Sequence, residues 1–344
     1  MIEIKQVSFT YDNATNGTAI RDINVQIPKG QIVLLCGESG SGKTTFSRLI
    51  NGLIPAYYDG DLNGRVMVSQ KDTSKVELHE LAPFIGSVFQ NPKSQFYTLL
   101  TDTEIVFACE NIGMERTDIL DRFNSTVDSL HIEKLIGKSL FALSGGEKQK
   151  IACASVNALM PDVFVLDEPT SNLDIGTIRD LQEILLSWKA QGKTVIIAEH
   201  RLYYLIDILD SMGVLSNSRM EFFQKKELDN KKIQELQNKY LLRSTKEINK
   251  RDLARKQYNK IHLLNKEKMA ETSDMVLKCD NFIQDFKANK IIDIKSLNFS
   301  NEIYFIIGEN GVGKSTFIKK LARLIKGTGK SFYKEKEIKR PYNF

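Results

Sequence analysis

The sequence predicts an α/β fold organised around phosphate-binding loops, and three observations predict it. Two stretches, residues 37–44 and 308–315, fit G-x-x-x-x-G-K-[ST]. Each lies between a short apolar run and a stretch of helical character, the strand–loop–helix order that such a loop requires. Two more apolar runs, 163–166 and 194–198, read as buried strands and end in ionisable residues.

Residues 32–36 form the first of these strands. Gly37, Glu38, Ser39, Gly40, Ser41, Gly42, Lys43 and Thr44 make the loop, where glycines let backbone N–H groups surround phosphate oxygens. Lys43 is placed to reach the β- and γ-phosphates, and the Thr44 hydroxyl to ligate Mg²⁺. Thr45 continues into a helix over 45–50, whose N-terminus adds positive potential beneath the phosphates. Gln90, between Phe89 and Asn91-Pro92, ends a β-rich stretch with an uncharged amide. Such a group can ligate Mg²⁺ or position a water without competing for its proton.

Ser144, Gly145, Gly146 and Glu147 open a helix expected over 148–160. A serine and two glycines at a helix start form an exposed anion site, or an ordinary N-cap. Since the loop at 37–44 already serves phosphate, this second site suits nucleotide held by another subunit. The strand at 163–166 leads into Asp167 and Glu168. Adjacent strand residues point to opposite faces, so the two acids have different tasks. Asp167 suits a Mg²⁺ shell, and Glu168 a general base toward the γ-phosphate. The strand at 194–198 leads to Glu199 and His200, and His200 can hydrogen-bond a γ-phosphate oxygen.

At 344 residues the chain is long enough for two units and a connection. A hydrophobic fraction of 42% is that of a soluble globular protein. No apolar run approaches the roughly 20 residues of a membrane-spanning helix. The start, Met1-Ile2-Glu3-Ile4-Lys5, lacks a signal peptide's apolar core, so a cytosolic chain is expected. Cys36, Cys109, Cys153 and Cys279 lack CxxC spacing and read as reduced core residues. Net charge is +5, and residues 225–274 carry 14 Lys/Arg against 8 Asp/Glu, which leaves the remainder near neutral. That stretch reads as a solvated linker, although a basic segment also suits nucleic acid or anionic lipid.

Taken together, residues 1–222 resemble a complete nucleotide-binding domain of an ABC transporter ATPase. The resemblance rests on a Walker A loop (37–44), a Q-loop (Gln90) and an LSGGE signature (143–147). It continues with Walker B (163–167), Glu168, a D-loop (Ser171-Asn172-Leu173-Asp174) and a switch histidine (His200). Val7-Ser8-Phe9-Thr10-Tyr11 resembles the A-loop, which implies that Tyr11 stacks on adenine. The resemblance implies an ABC-type P-loop NTPase: a mixed-sheet RecA-like core, an antiparallel β-subdomain and a helical subdomain. It also implies ATP and Mg²⁺ as cofactors, with Glu168, His200 and Gln90 catalytic and Thr44, Gln90 and Asp167 around the metal.

Residues 89–96, 102–107, Glu110-Asn111 and 198–202 are similar to energy-coupling factor (ECF) ATPases. Those drive uptake of vitamins, cobalt or nickel and often carry two ATPase domains in one chain. The implied partners are transmembrane transporter subunits, received near Gln95, Phe96 and Tyr97, and a second ABC domain in a homo- or heterodimer. Phe96-Tyr97 departs from the family's Leu-Phe. A peripheral place on the cytoplasmic membrane face is implied, and no nucleic acid is expected. The alternatives are a soluble tandem ABC ATPase acting on ribosomes, favoured by the basic linker, or an inactive truncated product.

A shorter repeat begins near 276, its loop 271 positions after the first. Residues 303–307 are expected as its buried strand. Gly308, Glu309, Asn310, Gly311, Val312, Gly313, Lys314, Ser315 and Thr316 form its loop and helix start, and Phe286 takes roughly the place of Tyr11. Residues 327–332 begin the expected β-subdomain. No second signature, Walker B, catalytic glutamate or switch histidine follows before Phe344. The expectation is therefore a complete domain over 1–222, a charged helical linker over 223–275, and the truncated opening of a second domain over 276–344. In the head-to-tail dimer that the family implies, Ser144 and Gly146 would face Lys314, while Lys43 and Glu168 would lack a signature within the chain.

Overall fold

The computed structural model describes residues 1–12, 17–171, 173–246, 276–286, 289–302, 304–306, 313–325, 328–334 and 336–338. The chain divides into two units, Met1–Glu247 and Ile248–Phe344.

The first unit starts with strands β1 (Ile2–Tyr11), β2 (Ile20–Ile27) and β3 (Ile32–Gly37), helix α1 (Lys43–Ile50) and the single turn α2 (Leu53–Ala56). Strands β4 (Gly60–Val68) and β5 (Lys71–Asp72), the turn α3 (Leu78–Leu81), strand β6 (Ile85–Val88) and helices α4 (Thr101–Asn111), α5 (Arg116–Leu130) and α6 (Gly145–Asn157) follow. The unit continues through β7 (Val163–Asp167), α7 (Ile175–Ala190), β8 (Thr194–Ala198), β9 (Ser211–Ser216), β10 (Arg219–Gln224) and α8 (Asn230–Tyr240).

Two sheets result. The larger has the order β10-β9-β3-β8-β7-β6, with β10 antiparallel to β9 and every other pair parallel. The smaller is antiparallel, β2-β1-β4-β5. Side chains on a strand alternate between faces, and the core divides on that alternation. Leu34, Phe164, Leu166 and Ile197 join the helical side with residues of α4 to α8. Val33, Leu35, Val163, Val165 and Ile196 join the other side, where Phe46 and Leu49 of α1 meet Ile2, Ile4 and Phe9 of the antiparallel sheet. Continuous apolar strands covered on both faces are what a parallel sheet requires. On the helical side the sole tryptophan, Trp188, stacks on Phe164 with ring centroids 3.7 Å apart. Its indole N–H donates to Asn157 Oδ1 at 2.8 Å, and Asn157 donates to Thr126 Oγ1, which pins α5, α6 and α7 together. All four cysteines are buried free thiols, and burial pushes Cys36 and Cys153 up to about 12.

Two expectations shift. The helix placed at 148–160 spans Gly145–Asn157, because Ser144 caps it and Met160 turns out at φ 50°. The boundary expected at 222 falls inside β10, and the residues beyond it belong with the first unit. Leu228 and Leu236 are buried in the helical-side core, with Ile233, Tyr240 and Leu242 packed against it. The helical character expected after 222 appears in α8, while residues 247–275 lie outside the described residues.

In the second unit, β11 (Leu277–Phe286), β12 (Asn289–Phe299), helix α9 (Lys314–Leu321), β13 (Thr328–Tyr333) and β14 (Lys336–Glu337) are described. Their sheet order, β12-β11-β13-β14, repeats β2-β1-β4-β5 of the first unit. Phe286 ends β11 as Tyr11 ends β1. A small core joins Cys279, Phe282, Ile292 and Phe317. The buried strand expected at 303–307 does not appear among its described residues. Residues 304–306 carry no strand, and Phe305 is 85% exposed. In the first unit the matching strand β3 is held between β8 and β9. Among the described residues of the second unit, every strand belongs to the antiparallel sheet, so an apolar run there has no parallel neighbour with which to pair.

Candidate functional site

The loop at 37–44 leaves β3 at Gly37, whose φ of 145° lies beyond the reach of most side chains. A Cβ there would stand 2.2 Å from the Leu215 carbonyl oxygen, so the chain needs glycine for this close approach. Glu38, Ser39 and Gly40 are exposed, and Ser41 N–H donates to the Glu38 carbonyl at 3.2 Å. Gly42 caps α1 at φ 103°. Lys43 is buried, and its ammonium donates to the carbonyls of Gly37 (3.1 Å) and Glu38 (2.8 Å), spanning the loop. Burial lowers its pKa, opposed by Glu168, Cys36, Asp167 and Glu199.

The two acids at the end of β7 do take separate partners, for a reason that strand alternation describes only in part. Asp167 ends the strand and accepts from Thr44 Oγ1 at 3.2 Å. Glu168 lies beyond the strand in the left-handed region, φ 45°, with its N–H donating to the Ala198 carbonyl. Its Oε2 accepts from Gln90 Nε2 at 2.9 Å, and its Oε1 lies 3.2 Å from His200 Nε2. The two carboxylates therefore take different partners. Gln90, Glu168 and His200 form one group beside the loop, and the hydrogen bond of Gln90 is to Glu168. Burial raises the Asp167 pKa and lowers that of His200, the latter helped by the Lys43 charge.

Ser144 caps α6 with a complete capping box. Its hydroxyl accepts from Glu147 N–H at 3.3 Å, and Glu147 Oε2 accepts from Ser144 N–H at 2.8 Å. Gly145 opens the helix. Gly146 is required by contact, since a Cβ would meet Thr177 Cγ2 at 2.4 Å. In the D-loop segment, Asp174 caps α7 by accepting from Thr177 N–H at 2.9 Å, and Asn172 lies outside the described residues.

Tyr11 ends β1 near the loop. Its hydroxyl is 3.1 Å from Thr45 Oγ1 and accepts from Arg48 Nη1 at 3.0 Å. The Arg48 guanidinium lies over the Tyr58 ring at 3.9 Å. Arg48 and Tyr58 escaped sequence reasoning, because only the fold brings residues 11, 48 and 58 together. The same holds for Thr170 and Glu199, a buried pair joined at 2.6 Å. In the second unit, Gly313 caps α9 at φ 103°, as Gly42 caps α1. Lys314, Ser315 and Thr316 lie in the first turn, whereas Gly308, Glu309, Asn310, Gly311 and Val312 lie outside the described residues.

Residues 20–171 match the family model described as ABC transporter. The chain is 38% identical to an ABC transporter ATP-binding protein of Pyrococcus abyssi, over 64% of this chain and 79% of that protein. The chain belongs to the ABC transporter ATP-binding family. This ABC chain is also 39% identical to an ATP-binding protein of Treponema denticola, over 94% of its own length and 65% of the relative's. It thus spans just under two thirds of that longer protein. It is 30% identical to the HMP/thiamine import ATP-binding protein YkoD of Bacillus subtilis, over 100% of this chain and 67% of that one. Among solved structures it is similar to cbiO1 of Clostridium perfringens, part of the ABC transporter complex cbiONQ. The TM-score is 0.60 at 26% identity, covering 69% of this chain and 94% of that one. The fold is that of an ABC ATP-binding domain, with its mixed sheet and added antiparallel sheet, and such a domain binds ATP.

Proposed function

We propose that the chain hydrolyses ATP and energises an ECF-type membrane importer of a vitamin or metal ion. The observation that carries this reading is Glu168, its two carboxylate oxygens held by Gln90 and His200 beside the loop that contains Lys43. A carboxylate so oriented suits the base that positions water for attack on a γ-phosphate. Lys43 and the amides of residues 37–45 would hold the phosphates, and Tyr11 would stack on adenine. His200 Nε2 would steady the γ-phosphate oxygens.

The residues also fit a magnesium ion. Thr44 and Asp167 present hard oxygen donors 3.2 Å apart, and a half-buried carboxylate with a raised pKa gains from a cation. Thr44, Asp167 and Gln90 would hold Mg²⁺, which when bound neutralises charge on the β- and γ-phosphates. Ser144 and Gly146 would face nucleotide on a second ABC domain. The names of YkoD, an HMP/thiamine import protein, and of cbiONQ, an ABC transporter complex, support import and a transporter complex. A peripheral place at the cytoplasmic membrane face belongs to the same reading. No helix among the described residues is long and apolar enough to cross a membrane.

Glu168→Gln tests the reading. ATP affinity should stay within about threefold while turnover falls by roughly 10²-fold or more. Wild-type turnover in the variant would remove Glu168 as the base.

A further inference from the structure

One buried carboxylate has no part in the chemistry above. Glu199, 2% exposed, follows β8 directly. Its Oε1 accepts the backbone N–H groups of His200 (2.7 Å) and Arg201 (3.0 Å). Its Oε2 accepts the hydroxyls of Thr170 (2.6 Å) and Tyr204 (3.3 Å). Four donors offset the cost of burying the carboxyl oxygens. Burial, and then Glu199 itself, hold the Tyr204 pKa well above its ordinary value, so that hydroxyl remains a donor.

The four donors come from two separate loops. His200, Arg201 and Tyr204 follow β8, whereas Thr170 lies two residues beyond Glu168. A second tie runs parallel to the first, from Arg201 Nη1 to the Leu173 carbonyl at 2.9 Å. The backbone that carries His200 is therefore fastened to the turn that leaves Glu168, and His200 Nε2 closes the circuit on Glu168 at 3.2 Å.

We propose that Glu199 is a positioning residue that fixes His200 against Glu168 and couples this pair to the turn at 169–174. Its effect on turnover rests on the hydrolytic reading of Glu168, whereas the positioning itself does not.

The test uses the full chain labelled with ¹³C at the histidine Cε1 positions. Its four histidines, His79, His131, His200 and His262, each give an imidazole resonance, and His200→Gln identifies that of His200. In Glu199→Gln, and to a smaller degree in Thr170→Val, the His200 resonance should move while the other three stay in place. Unmoved His79 and His131 resonances report an intact first unit, which a general loss of structure would not leave. MgATP turnover should fall about tenfold or more in Glu199→Gln, with KM changed less than about threefold. A His200 resonance coincident with wild type in both variants overturns the proposal. So does unchanged turnover in Glu199→Gln when the wild type hydrolyses ATP. Should Glu199→Gln fail to fold, Thr170→Val decides alone. A wild-type chain without turnover counts against the hydrolytic reading only, and the resonance still decides the positioning.

Discussion

Glu168 is held in a backbone conformation that costs a non-glycine residue on the order of 1 kcal/mol. Its N–H bond to Ala198 and its two side-chain partners hold it there. His200 faces that carboxylate with a pKa below the usual imidazole value, because burial and the Lys43 charge outweigh the pull of Glu168. The unfolded chain therefore takes up a proton at His200 before the folded chain does. Stability from this group is full above its unfolded pKa, about 6.5. It declines as pH falls from there through the depressed folded value. In urea titrations, His200→Gln should remove that decline, so the stability gap between wild type and variant changes with pH across this window. A gap independent of pH would show that His200 titrates alike in both states.

At the scale of elements, α6 and α7 approach at their N-termini, where Gly146 touches Thr177. Gly146→Ala should cost about 1–3 kcal/mol, because the added methyl meets a β-branched side chain on a capped helix turn. Thermal unfolding would measure it, and the added Thr177→Ser, which deletes the crowding Cγ2, should restore part of the loss. Such elements were legible in the sequence where the signal is local. The S-G-G-E spacing foretells the capping box, glycine spacing foretells the loop, and apolar runs foretell β3, β7 and β8. What the sequence hid depends on chain segments far apart. The partners of Glu199 sit at 170, 200, 201 and 204, and the Tyr11–Arg48–Tyr58 cluster draws on three elements. Residues 304–306, the described part of the run at 303–307, carry no strand for the same reason, since apolarity says nothing of the neighbours a strand needs.

Across the whole molecule, the first unit reaches past the motifs that identify it. A chain ending at Phe222 would lose the last two residues of β10 together with Leu228 and Leu236. Burial of two leucines is worth roughly 3–6 kcal/mol, so a piece ending at Lys246 should be more stable than one ending at Phe222 by about that amount. Urea unfolding followed by the fluorescence of Trp188 would compare them, and equal midpoints would mean that α8 adds nothing to the core. The second unit repeats the first in sheet order and in the glycine-capped helix after its loop, which marks the two as copies of one plan. The four cysteines give the fold a practical property. With every thiol buried, and Cys36 and Cys153 at about 12, the native chain should be nearly inert to maleimides. A single cysteine placed on the surface would then carry a spectroscopic label without removal of the native four. The slow alkylation of those four would in turn act as a clock for the opening of each unit.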